Sequence, residues 1–107
     1  MTVKEFLTRY DNKETFTSRE NQELYWGDIE EEDDDEVYEI DTIYGDKGRW
    51  SRYETKILSL NGRYFDVTAD IGLTEYQDNY YDQQPIEVKR VQKTIVVDTW
   101  EAIKNDR

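Results

Sequence analysis

The chain contains no cysteine and no histidine. Without cysteine there is no disulfide framework and no thiolate metal site. Without histidine there is no imidazole base, no serine or cysteine triad of the usual kind and no imidazole ligand. Proline occurs once and glycine five times, too few for a low-complexity linker. No apolar run approaches the roughly 20 residues that span a bilayer. The start of the chain has no apolar stretch behind a basic cluster, so no secretory leader is expected. Aliphatic residues and phenylalanine are sparse, but nine Tyr, three Trp and three Phe in 107 residues need burial or contact to be useful. Residues 1–107 are therefore expected to form one thinly cored domain.

Charge is abundant and uneven. The chain has 26 acidic and 14 basic residues, a formal net charge of −12. Thirteen of the acids fall between Glu20 and Asp46, where there is no Lys or Arg, and eight of the nine residues from Asp28 to Glu36 are acidic. The remainder is nearly neutral. Mutual repulsion in such a run costs free energy, so folding alone does not favour it. One reading is a solvated acidic loop; the other is an anionic surface that competes for a site built for phosphates. With no surplus of cations, direct nucleic-acid binding is not expected. Anionic lipid repels the same charge, so no membrane partner is expected and a cytoplasmic location is.

Thr2-Val3-Lys4-Glu5 has capping-box spacing. Val3, Phe6, Leu7 and Tyr10 then form the stripe of a short amphipathic helix, ended by Asp11-Asn12-Lys13. Residues 14–18 and 22–26 read as weak strands around an Arg19-Glu20-Asn21 turn. Residues 37–44 read as a strand closed by Gly45-Asp46-Lys47-Gly48. Asn61-Gly62 between two strand-like runs signals a type I′ hairpin. That register pairs Leu60 with Arg63 and Leu58 with Phe65. It places Leu58, Leu60, Phe65 and Val67 on one face, and Tyr53, Thr55, Ile57, Tyr64 and Thr68 on the other. Thr74 with Gln77 permits a short helix or a loop. Residues 86–91 and 94–100 read as strands, joined across a bulge near Gln92-Lys93. The expected class is α+β: a curved antiparallel sheet of about five strands with a short N-terminal helix packed on one face.

Enzymatic chemistry has little to stand on. With so many carboxylates a close pair is inevitable and uninformative, and Ser18, Ser51 and Ser59 have no imidazole partner. A calcium loop begun at Asp33 would need Gly at its sixth place and Glu at its twelfth, where Tyr38 and Tyr44 stand. There is no phosphate-binding glycine loop, and no cofactor is implied.

The binding candidates are therefore Glu30, Glu31, Glu32, Asp33, Asp34, Asp35, Glu36, Glu39 and Asp41, with Trp26, Tyr38 and Tyr44 as contact area. Same-face residues of a strand lie about 6.6 Å apart, close to twice the spacing of phosphates along one DNA strand. An unbroken strand would give Glu39 and Asp41 that separation. A second candidate surface is Tyr76, Tyr80 and Tyr81 among Gln77, Asn79, Gln83 and Gln84, where rigid rings alternate with adaptable amides. Packing is the competing role for those rings.

Trp50, then Asn61-Gly62-Arg63-Tyr64-Phe65, Gly72-Leu73-Thr74-Glu75, Gln77-Asp78-Asn79, Gln84-Pro85-Ile86-Glu87-Val88 and Trp100 resemble small proteins of phages and prophages of Gram-positive bacteria. The likeness covers about half the chain and excludes the acidic run. It implies a context: small acidic phage proteins include DNA-mimicking inhibitors of restriction enzymes and anti-CRISPR inhibitors of Cas9-type nucleases. The expected function is inhibition of a host DNA-binding defence nuclease through the acidic surface, the partner being basic and nucleic-acid-binding. The alternative is a non-enzymatic accessory protein that grips a protein partner through the Tyr/Gln surface.

Overall fold

In the computed structural model the chain is α+β, with two helices on one face of a curved, open antiparallel sheet. The structure describes residues 1–47, 51–73, 78–94 and 96–103. The elements are α1 (Val3–Asp11), α2 (Ser18–Tyr25), β1 (Val37–Lys47), β2 (Ser51–Leu60), β3 (Arg63–Gly72) and β4 (Ile86–Val88), and the strands lie in the order β1-β2-β3-β4.

Helix α1 starts where the capping spacing puts it, with the Glu5 amide donating to Thr2 Oγ1 at 3.0 Å. Residues 14–26 depart from the sequence reading. They hold α2, not two weak strands about a turn, and the cause is a second box of the same spacing. Thr17 Oγ1 accepts from the Glu20 amide while Glu20 Oε1 accepts from the Thr17 amide, which satisfies two otherwise orphaned donors. Asn21, Leu24 and Tyr25 then lie on one buried stripe. Arg9 of α1 donates to the Glu20 carboxylate and to the Thr15 carbonyl, tying the helices together.

The guanidinium of Arg9 and, after it, the Thr17 amide hold the Glu20 carboxyl down to about 2. A folded-state value below the unfolded one gives stability that is complete above the ordinary carboxylate range and is lost as pH falls toward 2. Glu20→Gln keeps a capping side chain but removes the charge. It should lower Tm by about 5 °C at neutral pH and flatten the acid limb of the stability curve between pH 4.5 and 2. Thermal melts across that range measure both effects.

The Asn61-Gly62 hairpin forms in the expected register, Leu60 opposite Arg63 and Leu58 opposite Phe65. Both turn residues have positive φ, 52° and 83°, as a type I′ turn requires. Leu58, Leu60, Phe65, Val67 and Ala69 face the helices and form the core with Val3, Phe6, Phe16, Leu24, Tyr25, Ile29 and Tyr81. Phe6 sits at its centre, ring centroids 4.9 Å from Phe16 and 5.1 Å from Phe65. Arg63 clamps the end of α1 to β4, reaching Asp11 at 2.8 Å and Glu87 at 2.7 Å.

Strand β1 runs through Gly45 to Lys47 instead of closing there. A Cβ at Gly45 would lie 3.2 Å from the Tyr53 carbonyl oxygen, so the glycine marks a close strand approach rather than a turn. At the other end, strand structure stops at Val88. Described residues 89–94 and 96–103 have no regular secondary structure, so the strands expected over 89–91 and 94–100 are absent there and the sheet has four strands. β-Branched residues favour a strand only when a neighbouring strand accepts their hydrogen bonds. The possible helix at 74–77 lies outside the described residues.

Candidate functional site

The acidic run leaves α2 through Gly27, at φ 76°, and is fastened along its length. The buried Ile29 side chain anchors it to the core. Next to it, Glu30 forms a parallel bridge with Thr2, its amide donating to the Met1 carbonyl and its carbonyl accepting from Val3, both at 3.1 Å. A turn follows, in which the Asp35 amide donates to the Glu32 carbonyl and Asp35 Oδ2 accepts from the Glu32 amide at 2.8 Å. Lys4 reaches out from α1 to Glu32 and Asp34, each at 3.0 Å. Both carboxylates raise its pKa above the usual lysine range.

Hairpin residue Asn61 closes the far end. Its Nδ2 donates to Asp35 Oδ1 at 2.9 Å, its Oδ1 accepts from the Glu36 amide at 2.7 Å and its own amide donates to the Glu36 carbonyl at 2.8 Å. The Asn61 donor, then the Glu32 amide, keep Asp35 below the ordinary carboxylate range. The segment is thus a tethered arc and not a free loop. Asp28, Glu30, Glu31, Asp33 and Glu36 are exposed, and among the described residues nothing pairs with their carboxylates. No three carboxylates of the described residues converge as a metal cage would.

Asn61→Gly keeps the positive φ of the turn and deletes its side-chain tethers. Amide exchange at Glu36 should accelerate about tenfold while the β2–β3 ladder stays protected. The Asp35 carboxyl should titrate closer to its ordinary value, so less stability is lost as pH falls through the carboxylate range. Exchange and NMR titration of the variant test both.

The strand candidates divide between two faces. A bulge at Ile40 shifts the register, so Glu39 stands opposite Leu58 and Asp41 opposite Ile57. Those neighbours on β2 point to opposite sides of the sheet. Glu39 therefore lies on the helix side, where it accepts from Thr42 Oγ1 at 2.8 Å, and Asp41 lies on the open side. The same-face spacing expected of the pair does not exist, because one extra residue reverses the alternation. Tyr38, opposite Ser59, shares the open side with Asp41. Trp26 and Tyr44 lie on the helix side, each about half exposed. Lys56 stacks 4.6 Å from the Trp26 ring centroid and 4.4 Å from that of Tyr25; Arg52 stacks 4.5 Å from Tyr44.

The tyrosine–glutamine segment serves mainly as internal fastening. Tyr81 is 7% exposed. Its carbonyl accepts from Asn21 Nδ2 at 3.0 Å and its hydroxyl from Trp26 Nε1 at 2.7 Å, so it is a core residue and not contact surface. Gln84 pairs with the backbone of Phe16 through both ends of its amide, at 2.7 and 2.9 Å. Ser18 donates to Asp82 at 2.7 Å. Tyr80 is exposed, beside Tyr53 and Asp70, with which it forms a bridge. Tyr76 lies outside the described residues.

Two residues that the sequence reading omitted organise the site. In the sequence Lys4 lies inside a capping box and Asn61 marks a turn, neither of which signals a role in the site, and each acts across at least 25 residues of sequence. No protein-family model, curated protein or solved structure matches the chain. No helix among the described residues is long and apolar enough to cross a membrane.

Proposed function

We propose that this protein is a phage-type inhibitor of a host DNA-binding defence nuclease, of Cas9 or restriction type, and that its acidic arc occupies the cationic site that normally holds DNA. One observation carries the reading. Eight carboxylates at nine successive positions are held in a tethered, solvent-facing arc with Lys4 as their sole cation among the described residues. Crowding like charges costs folding free energy, and the tethers from Lys4, Ile29 and Asn61 hold the crowding in place. A partner surface lined with Arg and Lys relieves that cost on contact, and DNA-binding clefts are surfaces of that kind.

On this reading the imitation of DNA rests on the arc, with Glu39 continuing it on the helix side. Trp26 and Tyr44 add apolar area beside it, and Asp41 and Tyr38 belong to the opposite face. Inhibition works by occupancy, inside the host cytoplasm, and needs no catalytic step or cofactor. The alternative grip through residues 76–84 loses contact surface, because Tyr81 and Gln84 are committed internally.

The test is a DNA-cleavage assay with purified Cas9-type and restriction nucleases. Inhibition should weaken as duplex substrate is raised and as salt screens the interface. Inhibition that ignores DNA concentration would place the protein elsewhere on its target, and no inhibition of either class would remove the reading.

A further inference from the structure

On the open face of the sheet one carboxylate stands between two tyrosine rings. The register puts Tyr53 of β2 opposite Asp70 of β3. On the other edge of β3, Tyr80 pairs with Asp70, each amide donating to the other residue's carbonyl at 2.9 Å. Directly opposite residues share a face, so Tyr53, Asp70 and Tyr80 form one row across the sheet. Ala69, the neighbour of Asp70, belongs to the core under the helices, and alternation turns the row the other way. Both rings are about half exposed.

Together with Asp82 and Gln83, the row lines a cavity of about 200 Å³, room for about six water-sized groups. Two of its residues are acids, and among the described residues no Lys or Arg lines it. Asp82 accepts from the Ser18 hydroxyl through Oδ1. Asp70 Oδ1 is buried and has no hydrogen-bond partner among the described residues. A carboxylate so poorly served by water and by donors attracts a cation strongly. The rings select the kind of cation. Their faces are electron-rich and favour a planar, weakly hydrated group over a compact, strongly hydrated one. A guanidinium is such a group, and it brings five N–H donors. A free arginine would also bring its own carboxylate against Asp70 and Asp82, whereas an arginine within a peptide chain brings none.

We infer that this slot takes an arginine side chain of a protein partner, its guanidinium lying against Tyr53 and Tyr80 and donating to Asp70. The carboxylate supplies the charge-assisted bond and the rings supply the preference for arginine. The slot is separate from the acidic arc, which is fastened at the Asn61 end of the hairpin. From Arg63, beside that end, to Asp70 is about 23 Å of strand. The inference therefore does not depend on the nuclease reading.

Titration of the full chain with the capped tripeptide acetyl-Gly-Arg-Gly-amide, followed by amide NMR at physiological salt, tests it. Shifts centred on Tyr53, Asp70 and Tyr80 should saturate with a dissociation constant on the order of 1 mM. The corresponding Lys tripeptide and free arginine should each bind about threefold or more weakly. Asp70→Asn keeps the shape of the side chain without its charge and should weaken binding about tenfold or more. Tyr53→Leu and Tyr80→Leu, at exposed positions where folding is little affected, should each weaken it about threefold. The arc variant Asp28→Asn, Glu30→Gln, Glu31→Gln, Asp33→Asn, Glu36→Gln should bind within about twofold of the parent, because salt screens charges at that distance. Absence of saturable shifts at the three residues overturns the inference, as does equal binding of the Lys and Arg tripeptides or parent-like binding by Asp70→Asn. Free arginine that binds more tightly than the tripeptide overturns the protein partner. Loss of binding in the arc variant also overturns the inference, since the attraction would then be to the net charge of the chain.

Discussion

Converting Asp28, Glu30, Glu31, Asp33 and Glu36 to their amides should stabilise the isolated protein and weaken its hold on a cationic partner. The two effects have opposite signs because they come from the same charges in two environments. Alone, these carboxylates have one another for neighbours, and among the described residues no cation pairs with them. Removing them relieves repulsion without deleting a side-chain hydrogen bond, and Tm should rise by about 5 °C. Against a surface of Arg and Lys, the same five charges are the attraction. Affinity should fall about 100-fold or more, and the remaining binding should depend less on salt. Glu32, Asp34 and Asp35 stay in this variant because Lys4 and Asn61 use them as tethers. A melt and a binding isotherm on one protein give both signs. If stability fell with affinity, the arc would be a structural element whose loss distorts the surface.

Phe6→Ala should be the most damaging single change to the fold. The Phe6 side chain is wholly buried. It meets Phe16 and Phe65 closely and Tyr10 more distantly, at 6.1 Å between centroids. It thereby joins α1 to both the segment before α2 and the sheet. Truncating a buried Phe costs about 3–5 kcal/mol, a large share of the 5–15 kcal/mol that holds a typical domain. Urea denaturation should show that loss, with the midpoint falling while the slope stays nearly constant. A cost below about 1 kcal/mol would mean that α1 is not docked on the sheet as described. Because the arc bridges to Thr2 and Val3 and is held by Lys4, the variant should also loosen residues 30–34 to exchange.

Local signals account for the elements that were legible in the sequence. The hairpin needed only Asn61-Gly62 and alternation on either side, and α1 needed a cap and a four-residue stripe. Helix α2 carries the same box, Thr17 to Glu20, but its buried stripe includes Asn21, whose polarity masks the helical period. The bulge at Ile40 has no marker, since neither glycine nor proline stands there, and it alone separates Glu39 from Asp41. Described residues 96–100 have strand propensity but take no regular secondary structure, since propensity without a paired neighbour yields no strand.

For the site, the charge run was plain in the sequence but its tethering was not. Lys4 and Asn61 become part of it through contacts 25 to 30 residues distant in sequence, beyond the reach of any local pattern. The burial of Tyr81 is of the same kind. It is set by Asn21 and Trp26 on α2 and just after it.

The most direct test of the central claim is competition on a retained nuclease. The protein is immobilised, loaded from a host lysate at low salt, and washed either with duplex DNA or with high salt. If the arc is gripped where DNA is gripped, both washes release the same DNA-binding nuclease, and the five-amide variant never retains it. A partner that stays bound through both washes, and binds the five-amide variant equally well, would contradict the account.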